Sequence, residues 1–288
     1  MNKLLIVIVA SILGSVAVAC GTRGGSSSAV GAVGYYGCEA IPGVIRALAH
    51  DDASEFALMC TYPLSRKYPL HDIMDSAQMV GYYHLLVDDS LRTVISSSTP
   101  GDWWQAGWRG YTYGDGEYLW IDMGVYGVNY ESQLEKAMRD SLLAADAAAV
   151  HISLRGDWLP ETCLFDSVSG QVLRIDIAST DEPDDSYGLP EVRLAIYDKG
   201  ADLRSAPDKI LFGRLNIEGS AATPVYEFND GDSSPLTIIY YPYEEIYTLA
   251  SDDGEDSRTL AKTYFLDLID SLALTKSTVS ASPALNRL

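Results

Sequence analysis

The chain has 288 residues, of which 47% are hydrophobic, and its 40 acidic and 20 basic side chains give a formal net charge of -20. This length is enough for one large or two modest domains with real hydrophobic cores. So negative a chain repels nucleic acid and anionic surfaces, which excludes nucleic-acid binding and makes a cationic protein a candidate partner.

The first twenty residues have the pattern of an export signal. A single basic residue precedes the uncharged run Leu4–Val18, which is shorter than the roughly 20 apolar residues that span a bilayer. Ala17-Val18-Ala19 followed by Cys20 resembles the lipobox of bacterial lipoproteins. The resemblance implies removal of a signal peptide at residues 1–19, acylation of Cys20 by chains such as palmitate, and a membrane anchor in the bacterial cell envelope. In such lipoproteins an Asp after the cysteine retains the protein at the inner membrane, so Gly21 implies the outer membrane, on its periplasmic or surface face, in a cell that has one.

The sequence predicts an α+β chain of several segments. Residues 20–39 form a flexible linker after the lipidated cysteine, because Gly21–Gly37 is rich in Gly and Ser and has no helix or strand period. A helical domain with an aromatic β-hairpin follows over residues 40–158. An antiparallel β domain, sandwich or barrel-like and ending in a C-terminal helix, covers residues 159–275, and residues 276–288 form a tail.

Three polar sites mark predicted helix starts in the first domain. Asp52 with Glu55 and Ser132 with Glu135 have capping-box spacing, and Asp88 suits an N-cap. The helix after Ser132 is expected to bury an apolar stripe against its neighbours. The stripe consists of Leu134, Met138, Leu142 and Ala145.

An aromatic hairpin is predicted where Tyr111–Tyr113 and Tyr118–Met123 flank the turn Gly114–Glu117. The segment Asp102–Gly110, which enters it, is rich in Trp. Exposed Trp rings stack on sugar faces, so glycan contact is one interpretation, and packing of the hairpin against the helices is the other. The candidate ligand-binding residues are Trp103, Trp104, Trp108, Arg109 and Tyr111.

The same part of the chain carries a second resemblance. Tyr62–Leu70, Asp88–Arg92 and the Trp-rich segment resemble the N-terminal region of uncharacterised two-domain envelope lipoproteins from Bacteroidetes-type bacteria. The resemblance covers roughly residues 50 to 130. It implies an envelope protein and no particular activity.

Apolar residues alternate with a period of two through much of the second half, which predicts antiparallel strands. The predicted strands are Leu173–Ile177, Val192–Ile196, Leu211–Ile217, Val225–Phe228, Leu236–Tyr241 and Glu245–Leu249. Apolar residues from Leu260 to Leu272 recur at helical spacing and predict a closing helix, although Tyr264–Leu268 also alternates as a strand does.

The cysteine count allows one intramolecular disulfide. Acylation of Cys20 leaves Cys38, Cys60 and Cys163. Cys60 lies on an apolar helical face and is expected to be buried, so Cys38 with Cys163 is the predicted pair. No Cys/His cluster supports zinc, and no cofactor is predicted.

Surface roles are the expected roles of the histidines and the acidic runs. His71 lies beside Asp72 and Asp75, but adjacent residues do not face one another on a helix, so no catalytic residue is assigned. Solvated loops are the expected role of the acidic runs, with calcium as the alternative for the second run. The calcium candidates are Asp252, Asp253, Glu255 and Asp256.

The leading hypothesis is therefore a non-enzymatic binding or assembly module on a lipid anchor, whose ligand includes glycan among the candidates. The first alternative is an inhibitor or sequestering protein for a cationic partner such as lysozyme. The second is a glycan-processing enzyme with paired carboxylates near the Trp segment.

Overall fold

A computed structural model describes residues 37–179, 190–219, 222–229, 235–241, 244–250 and 257–271. Helices and an antiparallel, closed eight-stranded barrel are both present, which confirms the α+β class and selects a barrel over a sandwich. The chain forms two compact units: Met1–Leu64 with Ile73–Ser132, and Ser65–Asp72 with Gln133–Leu288.

Four helices of the first unit bury apolar faces in one core. They are α1 Gly37–Ala49, α2 Ala53–Leu58, α3 Ser76–Leu86 and α4 Asp89–Ser96. The predicted caps of α2 and α4 are confirmed, because Asp52 accepts from the Glu55 N–H at 2.8 Å and Asp88 from the Leu91 N–H at 2.9 Å. The helix α1 begins inside the predicted linker, at Gly37.

The first unit also holds a four-stranded antiparallel sheet in sequence order. Its strands are β1 Trp104–Gln105, β2 Tyr111–Thr112, β3 Leu119–Ile121 and β4 Val125–Val128. The predicted hairpin corresponds to β2 and β3, joined through a turn in which Asp115 takes a φ of 53°. Leu119, Ile121 and Val125 join the helices in the core.

The barrel of the second unit is an up-and-down meander, because every strand pairs with its sequence neighbour and the last pairs with the first. Its strands are β5 Trp158–Phe165, β6 Val172–Ala178, β7 Glu191–Tyr197, β8 Lys209–Glu218, β9 Thr223–Asn229, β10 Leu236–Tyr241, β11 Ile246–Ala250 and β12 Arg258–Thr263. The interior is largely apolar, with Leu173, Ile175 and Phe228 among its buried residues. An eight-stranded barrel is just wide enough to be filled by side chains or to hold one small ligand.

The end of the chain differs in part from its prediction. The predicted closing helix covers Leu260 onward, whereas β12 continues to Thr263 and only residues 265–271 are helical (α6). This part of the chain forms a strand because it pairs on both sides: Leu260 lies opposite Tyr247 and Lys262 lies opposite Leu164. This pairing closes the barrel.

A second layer packs on the outside of one barrel wall. It contains α5 Gln133–Ala149 and α6, which cover Cys163, Ala195 and Tyr197. The predicted stripe of α5 is wrong, since Leu134 is 60% exposed and the buried residues of this helix are Glu135 and Asp146.

Ion pairs explain why α5 buries Glu135 and Asp146 and not its apolar stripe. Arg174 on β6 donates to both carboxylate oxygens of Asp146 at 2.6 and 2.7 Å, and a buried charge of this kind must be paired. The compact units consequently divide the chain at Ser132 and place α5 with the barrel, whereas the predicted domain boundary lies at residue 158.

Candidate ligand-binding site

One end of the barrel interior is polar, although the rest is apolar. Directly opposed residues on neighbouring strands share a face, so Lys262, which faces Leu164, points into the barrel. Tyr240 and Tyr247 are likewise opposed, and their rings stack with centroids 4.5 Å apart. Three polar side chains thus enter from the ends of β10, β11 and β12.

A β-bulge in β5 adds a carboxyl group to this end. Pro160 lies opposite Asp176 and Thr162 opposite Ile175, so Glu161 is the extra residue. Bulges re-aim a side chain locally, and this one directs Glu161 toward Tyr226, whose hydroxyl donates to Oε1 at 3.4 Å.

Burial raises the pKa of Glu161 above the ordinary value of a glutamate, against the opposing effects of the Tyr226 hydroxyl and the Lys262 ammonium. Burial also raises the pKa of Tyr226, Tyr240 and Tyr247. All three phenols therefore stay neutral at physiological pH and can act as hydrogen-bond donors.

Charged and polar contacts hold the segment 65–72 against this end of the barrel. Asp72 accepts from Lys262 Nζ at 2.7 and 2.8 Å, and its backbone N–H donates to the Tyr264 hydroxyl. Ser65 donates to Glu245 Oε1 at 2.9 Å. The segment belongs to the barrel unit because of these contacts, although its sequence neighbours lie in the first unit.

A buried ion pair ties the same segment to α5. Arg66 donates to the two carboxylate oxygens of Glu135 at 2.7 and 2.6 Å, and both side chains are almost fully buried. One and two helical turns further on, Arg139 and Leu143 reach the same end of the barrel.

These groups line an open-mouthed cavity of about 390 Å³, which we call the barrel-end cavity. Its lining consists of Ser65, Arg66, Lys67, Tyr68, Arg139, Leu143, Leu159, Pro160, Glu161, Ile177, Tyr240, Tyr247 and Lys262. The volume lies within the range of small-molecule sites, and the mixture of an apolar wall with a few convergent polar groups is typical of them.

The sequence-predicted ligand residues do not line this cavity, and they separate into buried and exposed side chains. Trp103 is 5% exposed and its indole N–H donates to Ser98, and Tyr111 is also buried. These two side chains therefore have the packing role. Trp104 and Trp108 are 59% and 50% exposed.

Arg109 is partly buried beside the hairpin. Its guanidinium carbon lies 5.2 Å from the centre of the Trp120 ring, and its backbone carbonyl accepts from the Tyr126 hydroxyl at 2.8 Å. Asp102 accepts from the Thr99 N–H and hydroxyl, both at 2.8 Å, and so serves as a local cap.

Other predicted sites lie wholly or partly outside the described residues. These are the lipidation site Cys20 and the calcium candidates Asp252, Asp253, Glu255 and Asp256. Cys163 is a buried free cysteine, whereas the side chain of its predicted partner Cys38 is not among those described, so the pairing stays a prediction.

His71 is an exposed residue that stacks on an aromatic ring. The ring of His71 stacks on Tyr264 at 3.9 Å, and its Nε2 lies 3.2 Å from Asp267. Asp72 binds Lys262, and Asp75 caps α3 by accepting from the Gln78 N–H, so both carboxylates have partners other than His71.

Sequence reasoning missed the lining residues of the barrel-end cavity. They come from segment 65–72, α5, β5, β6, β10, β11 and β12, and share no motif. One local signal is present in the sequence: on the inward face of β12, the apolar Leu260 is followed two residues later by the charged Lys262.

Within the described ranges, no cluster of three or more His, Cys, Asp or Glu side chains is arranged to hold a metal ion. In the same ranges, no helix has both the length and the apolar character needed to cross a membrane. Comparison with protein-family models, curated proteins and solved structures finds no match.

Proposed function

We propose that this chain is a non-enzymatic binding protein that holds a small ligand in the barrel-end cavity. The observation that carries the proposal is a cavity of about 390 Å³ with polar groups gathered at one end of an otherwise apolar barrel. An apolar wall with a few convergent polar groups is the usual composition of a small-molecule site, so this combination favours a ligand-binding role.

The segment 65–72 supports the same proposal. It is fastened by Arg66 to Glu135 and by Asp72 to Lys262, and the fastened residues line or adjoin the cavity. A wall fixed in this way needs little reorganisation when a ligand enters, which reduces the entropic cost of binding.

A neutral fluorescent probe, N-phenyl-1-naphthylamine, tests the proposal. We expect its fluorescence to rise on binding to the full chain, and we expect Leu143→Trp, which places a larger side chain in the cavity lining, to weaken binding at least tenfold. Ala144→Trp is the matched control, because Ala144 is the next residue of α5 and is exposed. Equal probe binding by all three proteins, or by none, would contradict a binding role for the cavity.

We further propose that the protein is anchored in the bacterial outer membrane through acylated Cys20. The support is the lipobox resemblance of Ala17 to Cys20, and the acidic sequence that follows suits an envelope compartment. Metabolic labelling with palmitate should mark the wild-type chain and not Cys20→Ser. Labelling of both chains to the same degree would refute acylation at this residue.

Glycan contact at Trp104 and Trp108 is a second candidate function. The exposure of half or more of each side chain favours it, since an aromatic ring must be accessible to stack on a sugar. Trp104→Ala and Trp108→Ala should each lower binding to a glycan array. An unchanged array profile in both variants would exclude this site.

A further inference from the structure

The residues that line the barrel-end cavity include more bases than acids, which is the reverse of the whole chain. The sequence has 40 acids and 20 bases, whereas the lining has one acid, Glu161, and four bases. The four bases are Arg66, Lys67, Arg139 and Lys262. A local excess of cationic side chains in an acidic protein indicates electrostatic complementarity to an anion.

Two of these bases are held in place by hydrogen bonds to carboxylates that do not line the cavity. Glu135 holds Arg66 through two contacts of 2.6 and 2.7 Å, and Asp72 holds Lys262 through two of 2.7 and 2.8 Å. Positions fixed by charge-assisted hydrogen bonds are pre-organised for a ligand group.

The single acid of the lining does not oppose an anion when it is protonated. The bulge buries Glu161 beside the Tyr226 hydroxyl, and burial raises the pKa of this carboxyl. A neutral carboxyl group donates a hydrogen bond, which an anionic oxygen accepts. The titratable and charged groups at this end of the barrel, besides Glu161, are Arg66, Lys67, Asp72, Glu135, Arg139, Tyr226, Tyr240, Glu245, Tyr247 and Lys262.

The rest of the lining is apolar. Leu143, Leu159 and Ile177 contribute side chains, and the stacked rings of Tyr240 and Tyr247 contribute aromatic surface. At about 390 Å³, the cavity lies toward the lower end of the roughly 300–1,000 Å³ range of small-molecule sites. A molecule that matches this lining is therefore small and carries both an apolar body and a charged group.

We infer that the barrel-end cavity binds a small amphiphile with an anionic group, which lies among the basic side chains while the apolar body lies against α5 and β6. This inference rests on the proposed binding function and names the ligand class for it.

Competition against N-phenyl-1-naphthylamine on the full chain tests the ligand class with three probes of equal chain length. Octanoate is the anion, octanol the neutral analogue and octylammonium the cation. We expect octanoate to displace the dye at a concentration at least tenfold below that of either other probe.

Two variants locate the anionic group. Arg139→Gln and Lys67→Gln each remove one base of the lining, and each should weaken octanoate at least fivefold while leaving octanol unchanged. Lys136→Gln is the matched control: Lys136 is exposed on the same helix as Arg139 and pairs with Asp140 at 3.0 Å, away from the lining. It should leave all three probes unchanged.

The outcomes separate the two levels of the proposal. Dye binding that is sensitive to Leu143→Trp, combined with octanol or octylammonium competing as well as octanoate, overturns the ligand class and leaves the binding function intact. An equal loss of octanoate affinity in Lys136→Gln also overturns it, since the effect then comes from the general surface charge. Absence of dye binding overturns the binding function itself.

Discussion

Substitution of Asp146 by Ala tests the buried ion network that fixes α5 on the barrel wall. Arg174 donates to Asp146 through both terminal nitrogens at 2.6 and 2.7 Å and through Nε to Asp176 at 2.7 Å. Asp176 also binds Arg193 at 2.7 Å, and the side chains of all four residues are at most 4% exposed. Without Asp146, the guanidinium groups of Arg174 and Arg193 share a single carboxylate, that of Asp176.

The expected loss in the free energy of unfolding follows from the contacts that Asp146 makes. Two hydrogen bonds to a charged group contribute about 1.5–3 kcal/mol each, and removal of one partner of a buried ion pair costs about 3–5 kcal/mol. We therefore expect Asp146→Ala to lower the free energy of unfolding by about 3–5 kcal/mol. Asp140→Ala is the matched control on the same helix, because its pair with Lys136 is half exposed and should contribute at most about 0.5 kcal/mol.

Urea unfolding at neutral pH, followed by far-ultraviolet circular dichroism, measures these differences. A double variant, Asp146→Leu with Arg174→Met, leaves Asp176 paired with Arg193 and restores charge balance. It should be at least about 1.5 kcal/mol more stable than Asp146→Ala. The reasoning is refuted when Asp146→Ala is no less stable than Asp140→Ala, or when the double variant recovers nothing.

Three further predictions concern the pH response, the Trp segment and the thiols. Burial raises the pKa of Glu161, so the folded chain holds this proton more tightly than the unfolded chain and loses stability as pH rises through the folded pKa. Glu161→Gln should consequently stabilise the chain more at about pH 7.5 than at about pH 3, and equal effects at both would contradict this. Trp103→Ala should cost about 3–5 kcal/mol in urea unfolding because the ring is buried, whereas Trp104→Ala should change stability by no more than about 0.5 kcal/mol; similar losses would show that exposure does not separate them. Burial raises the pKa of the Cys60 and Cys163 thiols to about 12, so iodoacetamide at about pH 8 should label both in urea and neither in the folded chain, as mass spectrometry of the peptides would report.

Local sequence was sufficient where the structure depends on local rules. Asp52 and Asp88 cap helices as predicted because a cap is a contact between residues three apart. The central strands of the barrel follow the period-two alternation because each has one face turned inward.

Local sequence was insufficient where a distant partner decides the outcome. The strand β5 was missed because its bulge at Glu161 breaks the alternation, and a bulge is defined by the partner strand. The buried face of α5 was misassigned because Glu135 and Asp146 become favourable inside only through Arg66 and Arg174. A hydrophobicity pattern alone places such carboxylates on the surface.

The sequence by itself determined the α+β composition, the antiparallel strands and most helix starts, because these depend on neighbours along the chain. Only the tertiary structure decided that the strands close into a barrel, that segment 65–72 joins it, and that Glu161 and Lys262 share one cavity. Closure and a binding cavity depend on contacts between residues far apart in the chain, such as Asp72 with Lys262, which are 190 positions apart. Periodicity carries no information about such pairs, since it reports only which side of an element is apolar.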